Sequence, residues 1–524
     1  MTFGDFWHTF SVEQSVVTLL MTMVRIFVES SATILIGILG AAAIRVSGGY
    51  SILQKWLGPA GSFERTFRLL AACLCVPVCA LGVIPLAKEL SDGGMPRRDL
   101  AVLWLVAPLL NPLSILYAIS VLPIWQCGVF LLVACAYAVV VAEVAGRFFE
   151  EPQNRKPSSI PEVTNGTTRL WNAAVAAGQI VTGWSIVYIV LGMIISGVVV
   201  GLVPSGAFER IFSYQNTTGP LETMVLTGPQ MVTPITFTMA VSAIHSTHLA
   251  FACAIVLQLL GVAWCGGTVL AMRSVWGIQR TLALLLVTLV LATTVSYGTY
   301  SVFPPAPGDE EETHGLDTLA RPYHANVGQF SLALSQQLNH TDLIMQAGTT
   351  LLGILALWGI VVRFRGLRFR EDPISSTDAK PSAGRWNVEL TPGQVGMSLI
   401  GVAAFGIIML MYSIFPSVEE SFEQMKKVSA DAVIAVKTNK THVAQQKLAE
   451  WDTVAARMPV GWVLRMGVPN TQQASEIRAL RELLWKTRQQ FAQAELTDAE
   501  VRERGAELID QFQSCRVVCL GDKT

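Results

Sequence analysis

The chain has 524 residues, 52% of them hydrophobic and 14% charged, with a net charge of −1. A soluble domain carries about 25% charged residues, and here the charge is absent from long apolar blocks and gathered into loops and the last hundred or so residues. That distribution belongs to a chain embedded in a lipid bilayer, and the balanced charge without a long basic run argues against a nucleic-acid partner.

A spanning helix needs about 20 mostly apolar residues. Blocks of that kind lie near 16–44, 100–121, 126–146, 172–203, 247–270, 281–303, 342–362 and 394–415. The first is too long for a signal peptide and has no clear cleavage site, so it is expected to serve as both anchor and targeting signal. Two more apolar stretches, 66–90 and 225–243, are interrupted, the first by Pro77, Gly82 and Pro85 and the second by Gly228, Pro229 and Pro234. Proline removes a backbone donor and crowds the preceding turn. In lipid such a break survives only where protein or water covers the freed backbone groups. Both stretches are therefore expected to be discontinuous or re-entrant, which brings the total to about eight to ten embedded segments.

Basic residues mark cytoplasmic loops. Arg45, Lys55, Arg65 and Arg68 lie in one loop, Arg147, Arg155, Lys156 and Arg169 in a second, and Arg363, Arg365, Arg368, Arg370, Lys380 and Arg385 in a third. The loop after residue 304 carries Asp309, Glu310, Glu311, Glu312 and Asp317 against Arg321, and belongs outside. Satisfying these placements makes 16–146 and 172–303 the same series (helix, broken hairpin, helix, helix) in opposite orientations, which is the inverted repeat of many secondary transporters. Pro85 to Asn111 in the first series lines up roughly with Pro234 to Gly261 in the second.

The expected organisation is a first repeat over 1–150, a second over 171–304 and an acidic external loop over 305–341. Two additional transmembrane helices joined by a basic cytoplasmic linker fill 342–416. A soluble helical tail, outside the cytoplasm, fills 417–524. In the tail, Val443, Trp451, Val454 and Met458 form one apolar stripe, Ile477, Leu480, Leu484 and Phe491 a second, and Val501, Leu508, Ile509 and Phe512 a third. Thr497 and Glu500 have capping-box spacing. The fold class is all-α: a polytopic helical membrane protein with an inverted repeat and two broken segments, followed by a helical hairpin or bundle.

Broken helices expose backbone dipoles near the middle of the bilayer, where they can replace the hydration of a small solute. On that ground Pro77, Cys79, Gly82, Pro85, Pro108, Asn111, Pro112, Pro229 and Pro234 are the candidate substrate-binding or translocation residues. Asn111 stands inside an apolar segment between two prolines, and a buried amide there needs a partner. Arg25 and Glu29 lie one helical turn apart in the first block. Ionisable groups in a membrane usually face the bundle interior, so the two are candidates for a mutual ion pair or a proton or charge relay. His245 and His248 have a spacing that permits metal binding, but loop histidines are common and no metal site is assigned.

The nine cysteines form neither a disulfide framework nor a zinc spacing. Cys515 and Cys519 are one turn apart near the end of the chain, where an external location would permit oxidation. There is no phosphate loop, HExxH or GxSxG, so no enzyme activity and no cofactor is expected.

The pattern Pro77-x-Cys79-x-x-Gly82-x-x-Pro85, followed by Gly94 and then Pro108-x-x-Asn111-Pro112, resembles the bacterial predicted-permease family that includes the organoarsenical efflux permeases. The resemblance covers about 16–303 and is strongest over 71–114. It implies an inner-membrane permease with two related halves. That family often carries Cys-x-Cys-Gly at the break, where this chain reads Cys79-Ala80-Leu81-Gly82, and the second break has no cysteine. Soft thiolates select soft metals and metalloids, so a single thiol weakens the expectation of a metalloid cargo.

Two functions are compatible with these features. One is a secondary transporter exporting a small solute or ion from the cell across the inner membrane. The other is a membrane sensor or assembly subunit whose C-terminal tail binds a protein partner.

Overall fold

The computed structural model describes residues 12–47, 63–149, 166–204, 207–213, 216–246, 249–302, 343–369, 417–438, 441–493 and 498–520, with a few isolated positions between them. The block at 394–415, most of the basic linker and acidic loop, Thr497 and His248 lie outside the described residues, as does the side chain of His245. The chain divides into two compact units, 1–389 and 390–524.

In the first unit, α1 (Val12–Ser47) runs 36 residues without a break. Cys75 ends α2 (Phe63–Cys75), and α3 (Val83–Asp92) begins after the Pro77 interruption. α4 (Arg97–Val106) and α5 (Pro112–Val121) flank a second interruption. Here Pro112 takes the first helical position of α5, where its missing N–H costs nothing, and Asn111 is the N-cap. α6 (Ile124–Phe148) completes the series. α7 (Gly166–Val181) and α8 (Trp184–Leu202) follow, separated at Thr182–Gly183. The short α9 (Ala207–Phe212) leads into α10 (Gly219–Thr227), and α11 (Pro234–Ser246) starts beyond the Pro229 interruption. α12 (Phe251–Val256) continues as a π-helical turn, Leu257–Val262, before α13 (Gly266–Trp276). α14 (Ile278–Val302) and α15 (Leu343–Phe364) close the unit.

Among the described residues, five helices are long and apolar enough to cross a bilayer: α1, α6, α8, α14 and α15. A sixth span results if the pair flanking residues 263–265, bent by 52°, counts as one. The interruptions at 66–90 and 225–243 fall where proline and glycine put them. Three blocks that looked continuous differ from that expectation: 172–203 divides at Gly183, 100–121 divides at 107–111, and 247–270 bends after its π-turn. Residues 100–110 and 252–265 are almost all buried, so no polar face marks the irregularity along the sequence. The described order is thus helix, broken pair, broken pair, helix, given once by α1–α6 and again by α8 and α10–α14.

Small residues bring these elements together, as lipid removes the hydrophobic drive for association and leaves close packing and hydrogen bonds. A Cβ on Gly37 of α1 would sit 1.9 Å from the Gly82 carbonyl oxygen, and one on Gly82 would sit 2.5 Å from that of Thr33. α15 packs on α1 in the same manner, with a Gly348 Cβ 2.7 Å from the Ala32 nitrogen and the Thr349 hydroxyl 3.1 Å from Ser31 Oγ.

Charged residues of the first two basic loops, and Arg363 of the third, gather at one end of this unit. Arg45 forks onto Glu89 and reaches Gln179 Oε1 at 3.3 Å. Arg65 forms a fully buried pair with Asp99. Arg98 and Arg147 approach Glu143 at 3.7 and 3.6 Å, and Arg363 donates to the Thr182 carbonyl at 2.9 Å. Buried pairs gain little net stability but punish any register that leaves one charge alone.

The second unit is a four-helix bundle of α16 (Val418–Lys437), α17 (Thr441–Met466), α18 (Thr471–Gln493) and α19 (Asp498–Leu520), with α16 packed on α19 as well as on α17. Ser417 and Glu420 form a reciprocal capping box that starts α16. The predicted apolar stripes supply most of the core, in which Trp451 lies edge-on to Phe512 with ring centroids 5.6 Å apart; Ile509 is exposed instead, and the side chain of Val443 lies outside the described residues. Cys515 and Cys519 are free thiols; the contact with Cys519, together with burial, pushes the Cys515 thiol up, while the same contact draws Cys519 below its ordinary range against the effect of burial.

Three outcomes are expected. Gly82→Val should lower the unfolding temperature of the purified protein markedly, whereas Gly353→Val, with nothing within 4 Å, should not. Trp451→Ala should destabilise the bundle by about 3–5 kcal/mol in denaturant titration. A maleimide should label Cys519 faster than Cys515 near neutral pH, because only the former gains thiolate there; peptide mapping would show the order.

Candidate translocation site

The first interruption covers Val76–Gly82. Its backbone is tied locally, with the Val83 N–H donating to the Cys79 carbonyl at 2.9 Å and the Gly82 N–H to Cys79 Sγ at 3.3 Å. The Val78 carbonyl receives Asn111 Nδ2 at 3.1 Å, while Asn111 Oδ1 accepts the Leu113 and Ser114 N–H groups at 2.9 and 3.4 Å. One side chain thus caps α5 and stitches the second interruption to the first. Pro77 is half-buried in the loop, Pro85 is buried in the first turn of α3, and Pro108 is buried in the second interruption.

The second series repeats this arrangement with other groups. The Val232 N–H donates to the Gly261 carbonyl at 2.8 Å, and the Gly266 N–H to the Pro229 carbonyl at 3.2 Å. The π-turn, whose N–H groups reach one residue farther back than in an α-helix, contains Gly261. Met231 N–H finds Ser196 Oγ on α8 at 2.8 Å. Cys265 is the N-cap of α13, with Thr268 Oγ1 bonded to both its N–H and its carbonyl. Cys265 thus caps the helix after the 263–265 interruption, as Asn111 caps α5, while the break at 228–234 carries no cysteine, as expected.

The two series meet at their interruptions. Ser114 Oγ of α5 lies 2.9 Å from the Pro234 carbonyl and 3.1 Å from Thr238 Oγ1 of α11. At a second contact between them, Leu81 fills the space over Gly192 and Gly267; a Cβ on those glycines would stand 2.9 and 3.2 Å from Leu81 Cδ2. Glu29 of α1 accepts the Thr233 and Thr236 hydroxyls at 2.7 and 2.8 Å. Its carboxylate thus faces the N-terminus of α11, where a negative charge is favoured. Thr233 Oγ1 also accepts the Thr236 N–H at 3.0 Å as a cap. Arg25 Nε is 3.9 Å from Glu29, a loose pair, and both side chains are half-buried.

A small cavity of about 40 Å³ lies beside the α5–α11 crossing, lined by Pro108, Ser114, Phe130, Phe237 and Gln258 among others. Gln258, on the π-turn, donates to the Phe130 carbonyl at 3.0 Å, and its Oε1 has no partner among the described residues.

The geometry thus gathers Pro77, Cys79, Gly82, Asn111, Pro112, Pro229, Pro234 and Glu29 around two facing sets of interruptions, with Arg25 one turn away on α1. Sequence reasoning missed Thr233, Thr236, Ser114, Ser196 and Cys265. Thr233-Pro234 and Asn111-Pro112 share one signal, a capping side chain followed by proline at the first helical position.

The predicted permease family matches residues 15–299. This chain belongs to that family. The match takes in α1 to α14, and with them both series, and it stops before α15 and the bundle. No protein of curated function and no solved structure matches the chain. The protein is a multi-pass membrane permease.

Asn111→Leu should leave the Val78 carbonyl unpaired and α5 uncapped. Loss of a buried hydrogen-bond partner costs about 1–3 kcal/mol, so thermal unfolding in detergent should come earlier, with Asn111→Gln showing a smaller deficit.

Proposed function

We propose that this permease is a secondary transporter that exports a small solute or ion, binding it where the two sets of interrupted helices face each other. The observation that carries the reading is the meeting of four interruptions within one helical core, two from each series. Such unwound segments combine helix-end dipoles with backbone groups near the bilayer midplane. On this reading the first repeat occupies 1–150 and the second 171–304 with inverted orientation, in the inner membrane. The gathering of Arg45, Arg65, Arg98 and Arg147 at one end supports that end as the cytoplasmic one.

Glu29 is the coupling residue in this mechanism. Ionised, it accepts both threonine hydroxyls and holds α11 against α1; a proton on the carboxylate weakens those bonds and loosens α11. Arg25 stands one turn away, with its Nε 3.9 Å from the carboxylate. Pro77, Cys79, Gly82, Pro85, Pro108, Asn111, Pro112, Pro229 and Pro234 shape and border the binding region.

A second reading, a sensor or assembly subunit, draws on the bundle, which is a separate compact unit beyond the matched region. Deleting 417–524 separates the two: unchanged solute flux with loss of a co-purifying partner makes the bundle an accessory.

The transport reading is tested by resistance and uptake screens of a knockout strain with metals, metalloids and organic solutes, followed by flux measurements in proteoliposomes. Flux should respond to a pH gradient in the wild-type protein. Glu29→Gln should lose that response by about tenfold or more, the size of effect that follows from removing one charge-assisted interaction. Flux through Glu29→Gln with an unchanged pH response would remove Glu29 from the mechanism, and absence of flux for every solute would count against transport.

A further inference from the structure

A second, larger pocket opens at the arginine-rich end of the core. It has a volume of about 320 Å³, within the range of small-molecule sites, and is lined by Lys88, Ser91, Asp92, Trp184, Tyr188, Ser274 and Val275. Three helices build it: α3 from the first series, and α8 and α13 from the second. Each of the three also runs to the Leu81 contact. Lys88 lies about two turns from Leu81, Tyr188 about one turn from Gly192, and Ser274 about two turns from Gly267. At the inner end the Tyr188 carbonyl would stand 2.5 Å from a Cβ on Gly267, so the helices close tightly there. The pocket thus lies on three helices that meet at the Leu81 contact, about one to two turns away.

Its charge is unusual for such a place. Glu89, the neighbour of Lys88, is already taken by Arg45. The Lys88 ammonium makes no ion pair with any described residue, although it is only partly exposed. Asp92, one turn on, has an interaction of its own. A partly sheltered, unmatched ammonium beside an indole, a phenol ring and two serine hydroxyls suits an anionic head on an apolar body. The ammonium supplies a charge-assisted hydrogen bond, and Trp184, Tyr188 and Val275 cover the apolar body.

We propose that this pocket is the entry site for the transported solute and that it selects small organic anions, with Lys88 as the residue that binds the anionic group. The inference rests on the transport reading. The alternative for Lys88 is a side chain that merely reaches the lipid interface.

The test uses full-length protein in phosphatidylcholine nanodiscs, which present no anionic headgroup, and three matched probes: benzoate, benzyl alcohol and benzylammonium. Equilibrium binding of radiolabelled probe should be saturable for benzoate and at least tenfold weaker for the other two, the factor expected of one charge-assisted contact. Lys88→Gln should remove the preference for benzoate and Lys88→Arg should keep it. Lys88→Glu should reverse it toward benzylammonium, a gain that misfolding cannot produce. Equal binding of the three probes, or a benzoate preference that survives Lys88→Gln, overturns the inference. Solute flux by a wild-type protein that shows no benzoate preference would overturn this inference alone and leave the transport reading standing.

Discussion

Within a bilayer no water is available to satisfy a broken backbone, and each orphaned amide or carbonyl costs several kcal/mol. Four interruptions in one core make this the constraint on which the architecture depends. Each is met by a donor or acceptor from a neighbouring element. Asn111 reaches Val78, the Val232 N–H reaches Gly261, the Gly266 N–H reaches Pro229, and Ser196 receives Met231. The close approach of α1 to Gly82 and of α8 to Gly267 follows from the same need. Backbone segments can serve one another only where side chains leave room, hence the glycines at 37, 82, 192 and 267.

The proposed chemistry grows out of those interruptions. Where a helix restarts after a break, its first N–H groups lack partners within the helix, and Glu29 occupies one such start. The carboxylate belongs to the first series and the helix start to the second. A change of charge on one side chain is therefore felt across the boundary between the halves, which is where alternating access requires movement.

Much of this was written in the sequence, and the rest was hidden for identifiable reasons. Proline and glycine at 77–85 and 228–234 announced two interruptions because those residues cannot continue a helix. The other two were masked by their setting, since a segment buried on every side is apolar on every side and shows no period to disturb. Asn111 stood out as a lone amide in an apolar run, and its neighbour Pro112 hinted at a cap. Thr233 and Thr236 did not stand out, because threonine is common in membrane helices and their partner Glu29 lies more than two hundred positions away. In the bundle the stripes through Trp451, Leu480 and Leu508 were plain, as a helix wet on one side must be patterned. That Cys265 would cap a helix could not be found by aligning prolines, because the helix after it does not begin with one.

The two halves are fastened differently. In the first, a side chain holds the interruptions together; in the second, main chain holds main chain. An amide on a rotatable stem can swing away and come back, whereas a peptide-to-peptide link parts only if the chain itself shifts. On the transport reading, one jaw is thus compliant and the other stiff, and the yielding comes from the Asn111 side.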